Sequence, residues 1–220
     1  MSTLHIDSIT KSFGDKKILQ DIYLSCESGK IVGLVGRNGE GKSTLMQIIF
    51  GTMKAENSYV KFNSIILKSQ YDRRNMIAYL PQQPFLPKNI KIKNLIPLFC
   101  NTKDTETLFK LDIIQPLLNE TPKNLSTGEQ RIIEVLVIVH STAEFILLDE
   151  PFHSLSPKTI DKLKNIIKEI SKQKGCIVSD HNYQDILDIS HNIYLLSDTH
   201  LKQIKNIKDL ELYNYLPKSI

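Results

Sequence analysis

"GLVGRNGEGKST", running from Gly33 to Thr44, places four glycines, one lysine and two hydroxyl residues in twelve positions. Residues 36–43 satisfy GxxxxGK[ST], and the stretch follows a β-branched run, Ile31 to Val35, and opens a helical one, Leu45 to Phe50. Glycines let successive backbone N–H groups curl round an anion with no Cβ in the way, and a helix starting near Lys42 points its positive end at the same place. Lys42 then reaches the β- and γ-phosphates and the Ser43 hydroxyl a divalent cation, so a nucleoside triphosphate is the expected ligand. The bland reading, a plain strand-to-helix turn, uses the glycines but leaves the lysine and hydroxyls without a purpose.

The rest of the chain bounds what that loop can serve. At 220 residues it makes one α/β domain, with room for a small appended lobe. The net charge of +4 is a mild basic excess that fits many anionic partners and selects none. Three cysteines, Cys26, Cys100 and Cys176, show no CxxC and no disulfide spacing, which suits a reducing compartment. The N-terminus does not read as a signal peptide, and the apolar runs fall short of a membrane span, so the chain is expected to be soluble on its own.

Short β-branched runs alternate with longer periodic segments, an α/β pattern. Strands are expected at Leu4 to Ile9, Ile18 to Cys26, Ile31 to Val35, Tyr59 to Phe62, Ile65 to Leu67, Met76 to Leu80, Phe145 to Leu148, Cys176 to Ser179 and Ile193 to Leu196. Helices are expected at Gly128 to His140, Lys158 to Lys172 and Tyr183 to Ile189. Between Pro81 and Pro122 prolines punctuate short amphipathic pieces, Ile92 to Phe99 and Ile113 to Leu118, which read as a small helical subdomain.

Hydrolysis also needs an acid for the metal and a base for water. Phe145 to Glu150 (FILLDE) is a buried strand ending in two carboxylates, at the edge where a parallel sheet presents its ligands. Asp149 suits the cation, and Glu150 suits polarising the attacking water. A carboxylate pair that only caps the next segment is the competing reading.

With these residues the chain resembles the ATP-binding cassette ATPases, the nucleotide-binding subunits of ABC transporters. Leu125-Ser126-Thr127-Gly128-Glu129 looks like the family's LSGGQ signature, although alone it also reads as a helix start with Ser126 and Glu129 as a capping box. Gln82 resembles the Q-loop glutamine, with Gln83 as the alternative; His181 matches the switch histidine; Phe13 lies where the family places an aromatic on adenine, or else is a core residue.

The resemblance covers about residues 3–196 and implies a P-loop cassette with a β-rich N-terminal lobe, a mixed but mostly parallel core sheet and a helical subdomain. The corresponding division is a core of about 1–83 and 125–200, a helical subdomain of about 84–124 and a tail of about 201–220. ATP would be held by Phe13, Gly36, Asn38, Gly39, Glu40, Gly41, Lys42, Ser43 and Thr44, and Mg²⁺ by Ser43, Gln82 and Asp149. Glu150, His181 and Gln82 would be the catalytic groups. Ser126, Gly128 and Glu129 would close the site of a second copy or of a sister ABC subunit in a head-to-tail dimer.

The partner so implied is a membrane permease, and the place is the cytoplasmic face of the inner membrane. A soluble cassette acting on a cytosolic or nucleic-acid partner is the alternative. The basic runs Lys88 to Lys93 and Lys202 to Lys208 lack the aromatic platform of a single-strand binder, so nucleic acid is not expected. The combination of FILLDEPF with Ser179-Asp180-His181-Asn182 looks like the lipopolysaccharide-export and branched-chain amino-acid cassettes. The chain departs from the family at Thr127, where glycine is usual, at Ser156, where the D-loop usually has aspartate, in the missing glycine turn near Asp198 to Leu201, and in its C-terminal Leu210 to Ile220. Of these, Ser156 bears on coupling between the two sites of a dimer.

Overall fold

A computed structural model of the chain describes residues 1–213 and 215–216, the side chain of Ile207 excepted. The first lobe is a long hairpin, β1 (Thr3–Phe13) and β2 (Lys16–Glu27), reversed at Gly14 and Asp15. After β3 (Ile31–Val35) the glycine loop leads into α1 (Lys42–Phe50), then β4 (Asn57–Phe62), β5 (Ile65–Ile66), a single turn α2 (Gln70–Arg73) and β6 (Ile77–Leu80). The helical stretch follows as α3 (Ile92–Phe99), α4 (Thr102–Phe109) and α5 (Thr127–Val139). The chain returns through β7 (Phe145–Asp149), α6 (Pro157–Ser171), β8 (Gly175–Ser179), α7 (Tyr183–Ile189), β9 (Asn192–Ser197), β10 (His200–Ile204) and α8 (Ile207–Leu212).

Two sheets result. The antiparallel one runs β2-β1-β4-β5, and the larger runs β10-β9-β3-β8-β7-β6, parallel except for its last strand β10. This is the mixed, mostly parallel core expected from the sequence. Alternation along the central strands divides the apolar interior in two. Phe145 and Leu147 join Ile177, Val32 and Leu34 beneath α1 and the antiparallel sheet, whereas Ile146 and Leu148 join Val178 and Ile31 beneath α5 and α6. Each fully buried aliphatic side chain on these faces contributes about 1.5–3 kcal/mol. With both faces of the sheet covered, the ligand-facing loops lie at its carboxyl edge, and there the glycine loop, Asp149-Glu150 and Asp180-His181 come together.

Several local features differ from the sequence expectations. Ile113 to Leu118 is not an amphipathic helix: only the 3₁₀ turn Gln115–Leu117 forms, because Pro116 removes a donor at its centre and the piece is too short to continue. Helix α4 lacks a strong apolar stripe, with Leu108 its one buried residue, and begins at Asn101, whose side chain accepts from the Asp104 N–H. The expected tail contains β10 and α8, while Asn214 and Pro217 to Ile220 lie outside the described residues. Ser156 caps α6, accepting from the Thr159 N–H at 3.4 Å, with Pro157 in the first turn. The capping function of an aspartate is therefore retained without its charge.

The β9–β10 reversal is made by Asp198 (φ 50°) and Thr199 (φ 69°), a two-residue turn with both residues left-handed and neither a glycine. A β-branched residue is strained there by about 1–3 kcal/mol. It is tied down by the Thr199 carbonyl accepting from the Gln20 N–H at 2.8 Å. Thr199→Gly should raise the thermal midpoint by about 2–4 °C, corresponding to about 1 kcal/mol. An unchanged or lower midpoint in a calorimetric scan would contradict the strain.

Candidate active site

The loop after β3 closes on α1 through Gly41, which sits at φ 105° as the residue capping the helix. A Cβ at Gly41 would lie 2.6 Å from Ile18 Cγ2, and one at Gly36 would lie 2.6 Å from the Leu196 carbonyl oxygen, so both positions need glycine for space. No side chain caps α1 at its N-terminus, which leaves its first N–H groups facing the loop. Lys42 is 7% exposed, and its ammonium donates to the carbonyls of Gly36 at 2.7 Å and Arg37 at 3.1 Å. Burial lowers its pKa, while Glu150, Asp149, Glu40 and Asp180 nearby work in the opposite direction.

Two strands away, β7 ends in Asp149 and Glu150, exposed by only 1% and 5%. Hydroxyls on both neighbouring strands hold Asp149. Ser179 Oγ donates to its Oδ1 at 2.9 Å and the Tyr79 phenol to its Oδ2 at 3.2 Å. Glu150 turns away from the strand at φ 55°, a conformation that places its carboxylate over the loop. Gln82 Nε2 donates to Glu150 Oε2 at 2.9 Å, and His181 Nε2 lies 2.9 Å from Oε1.

A cleft of about 430 Å³ is lined by Phe13, Ile18, the loop residues Asn38, Gly39, Gly41, Lys42, Ser43 and Thr44, and by Gln82, Glu150 and His181, whereas Asp149, next to Glu150, is buried and does not line it. Gln82 lines it and Gln83 does not. Phe13 is half exposed at 51% with its ring on the cleft wall and the Lys11 ammonium 5.0 Å from its centroid, so it is no core residue. Glu40, expected at the ligand, instead borders a separate polar recess with Arg37, Ser197 and Asp198. Gly36 is represented by its carbonyl on Lys42. Ser126, Gly128 and Glu129 are absent from the described lining: they form the start of α5, where Ser126 Oγ donates to Glu129 at 2.7 Å and accepts from its N–H at 3.2 Å. Gly128 stands against the loop after β7, where a Cβ would be 3.0 Å from the Ser154 carbonyl. Thr127 is exposed, so its extra atoms meet no crowding.

Sequence reasoning gave no role to three groups. Ser179 pairs with Asp149 across the parallel ladder, a partnership visible only when the two strands are aligned. Asp180 accepts from the Phe152 N–H at 3.1 Å and the Asn182 N–H at 3.3 Å, tying the loop after β7 to the one after β8; burial raises its pKa against those bonds. Arg131, in α5, is the third. Its guanidinium donates to the Glu150 carbonyl at 3.0 Å and the Pro81 carbonyl at 2.9 Å, and pairs with Glu134 at 3.2 Å. Glu134 in turn accepts from the Phe85 N–H at 3.1 Å. One buried ion pair thus links the signature helix to the backbone on both sides of the cleft.

The donor set fits a hard cation. The Ser43 hydroxyl and the Gln82 amide line the cleft and the Asp149 carboxylate lies buried at the same sheet edge, all oxygen donors, and among the described residues no cluster of three or more His, Cys, Asp or Glu makes a self-sufficient metal cage. That suits Mg²⁺, which keeps water and binds through few side chains plus phosphate oxygens.

The fold and this edge define a P-loop nucleotide-hydrolysing cassette. Residues 19–153 match the ABC transporter family, and the chain belongs to it as an ATP-hydrolysing, ATP-binding subunit. It is 28% identical over 215 residues to the lipopolysaccharide export system ATP-binding protein LptB of Escherichia coli K12, covering 91% of this chain and 89% of that one. An uncharacterized ABC transporter ATP-binding protein of Methanocaldococcus jannaschii is 28% identical over 217 residues, covering 94% and 79%. Among solved structures, the ATP binding subunit of an ABC transporter superposes with a TM-score of 0.83 at 21% identity, covering 98% of this chain and 95% of that one, a likeness of fold.

Removing Arg131 leaves Glu134 buried without its cation. Arg131→Ala should lower unfolding free energy by about 3–5 kcal/mol in urea, and Arg131→Met with Glu134→Leu should recover part of the loss. A loss below about 1 kcal/mol for the single variant would show that the pair does not hold the two sides of the cleft.

Proposed function

We propose that the chain binds Mg·ATP in the 430 Å³ cleft, hydrolyses it with Glu150 as the base, and powers a separate membrane permease from the cytoplasmic face of the membrane. The observation that carries this reading is the convergence of Lys42, Glu150, Gln82 and His181 on one cleft. Phe13 offers a ring for the adenine, and the α1 N-terminus with Lys42 takes the phosphates. Ser43, Gln82 and Asp149 would hold Mg²⁺, which when bound neutralises charge on the phosphates. Glu150 accepts a proton from water, with its two oxygens already oriented by Gln82 and His181. His181, 43% exposed at its side chain, is free to turn from Glu150 towards the terminal phosphate.

Ser126 and the N–H groups that open α5 have no place in this chain's own cleft. They complete the site of a second subunit, a copy of this chain or a sister cassette, so that closure of the dimer and ATP binding are one event. The core of about 1–83 and 125–200 then carries the phosphates, and the lobe of about 84–124 leads directly into the signature that meets the partner.

Beside Gln82 lies a groove of about 900 Å³, lined by Phe50, Tyr71, Tyr79, Phe85, Leu98 and Phe99 among others, with Tyr71 and Leu98 largely exposed. Exposed apolar side chains collected in a groove mark an interaction surface. The occupant proposed is a cytoplasmic helical segment of the permease, in keeping with the export-system name of the LptB relative. Among the described residues no helix is long and apolar enough to cross a membrane. The transport path is assigned to the permease, which selects the substrate.

Tagged Glu150→Gln protein, supplied with ATP, should capture an integral membrane protein in fixed ratio from detergent-solubilised native membranes, and adding Leu98→Asp should release it. Capture of soluble proteins or nucleic acid alone would favour the soluble cassette. Turnover at the wild-type rate by Glu150→Gln would remove Glu150 from its role, since loss of the base should slow hydrolysis by about 10²–10⁴-fold.

A further inference from the structure

Tyr79 stands between the groove and the phosphate cleft. It pairs with Leu147 in the β6–β7 ladder, two residues before Asp149, so Leu147 and Asp149 share a strand face, the one covered by α1. Its ring packs on Phe50, centroids 5.4 Å apart, and lines the groove with Gln47. Its hydroxyl points the other way, into the sheet edge, and donates to Asp149 Oδ2 at 3.2 Å. The Gln47 side chain from α1 lies beside the same phenol.

A phenylalanine would fill the same space against Phe50 and the groove. What tyrosine adds is the single donor to an oxygen of Asp149 that Ser179 does not touch, since Ser179 holds Oδ1. A carboxylate held at one oxygen rotates about its own axis; held at both, by donors on the two flanking strands, it has one orientation. We propose that Tyr79 is a positioning residue for ATP hydrolysis, its hydroxyl fixing the Asp149 carboxylate in the orientation that receives the divalent cation. This rests on the assignment of Asp149 to the metal made above.

The test separates metal from nucleotide. Binding of a fluorescent ATP analogue carrying a ribose anthraniloyl group is measured in EDTA and in excess Mg²⁺, and the ratio of the two dissociation constants gives the coupling between cation and nucleotide. Tyr79→Phe should bind the analogue in EDTA as the wild type does and lose about tenfold of the Mg²⁺ enhancement, the effect of deleting an outer partner of a metal ligand. Full enhancement in Tyr79→Phe, or an equal loss of binding in both conditions, would overturn the inference, the second result marking a packing defect. Asp149→Asn serves as the reference and should lose the enhancement. If Asp149→Asn keeps it in full, the metal assignment fails and the inference with it; if only Tyr79→Phe keeps it, the inference alone fails.

Discussion

Three carboxylates and one ammonium crowd a single edge of the large sheet, and the rest of the cleft follows from how that charge is held. Asp149, Glu150, Asp180 and Lys42 are all less than 10% exposed. Like charges at such range repel strongly in a medium of low dielectric, so each needs its own donors. Asp149 has two hydroxyls, Glu150 has Gln82 and His181, and Asp180 has two backbone N–H groups. Lys42 supplies a buried ammonium against the glycine loop, at the expense of a pKa lowered by burial. A triphosphate with its cation would enter a site where donors and acceptors are already oriented, which is the condition for electrostatic catalysis.

The same edge ties loops from distant parts of the chain to one another. The loop after β7 is tied to the loop after β8 through Asp180, to α5 through Arg131, and to the segment after β6 through Gln82 and the Pro81 carbonyl. Gly128 approaches the Ser154 carbonyl so closely that the signature helix and that loop share a surface. A displacement at the groove therefore meets a connected set of hydrogen bonds before it reaches Glu150.

Much of this was legible in the sequence because local chemistry and global fold agree there. Ile31 to Lys42 could be read as strand, loop and helix since glycine spacing and β-branching point the same way, and the apolar run before Asp149 could only be a buried strand. The order of motifs supplied Gln82, His181 and Phe13, but not the choice between Gln82 and Gln83, which depends on the direction a side chain takes after β6. Features without a local signal stayed hidden. The β9–β10 turn uses Asp198 and Thr199 where a glycine pair would have announced it. Helix α4 has too few apolar residues to show a period, and the contact of Tyr79 with Asp149 joins positions seventy residues apart. The Glu40 side chain borders a neighbouring recess because a motif fixes the path of the backbone and leaves the direction of a variable side chain to its neighbours.

Ser126 and the N–H groups that open α5 do not line this chain's own cleft, and the proposed function therefore makes the site one half that ATP joins to another. Sedimentation velocity of Glu150→Gln, with and without Mg·ATP, measures this directly. A shift from about 25 kDa to about twice that mass on adding Mg·ATP, abolished by Ser126→Arg, is the expected result. A monomer that remains a monomer with nucleotide bound would contradict it.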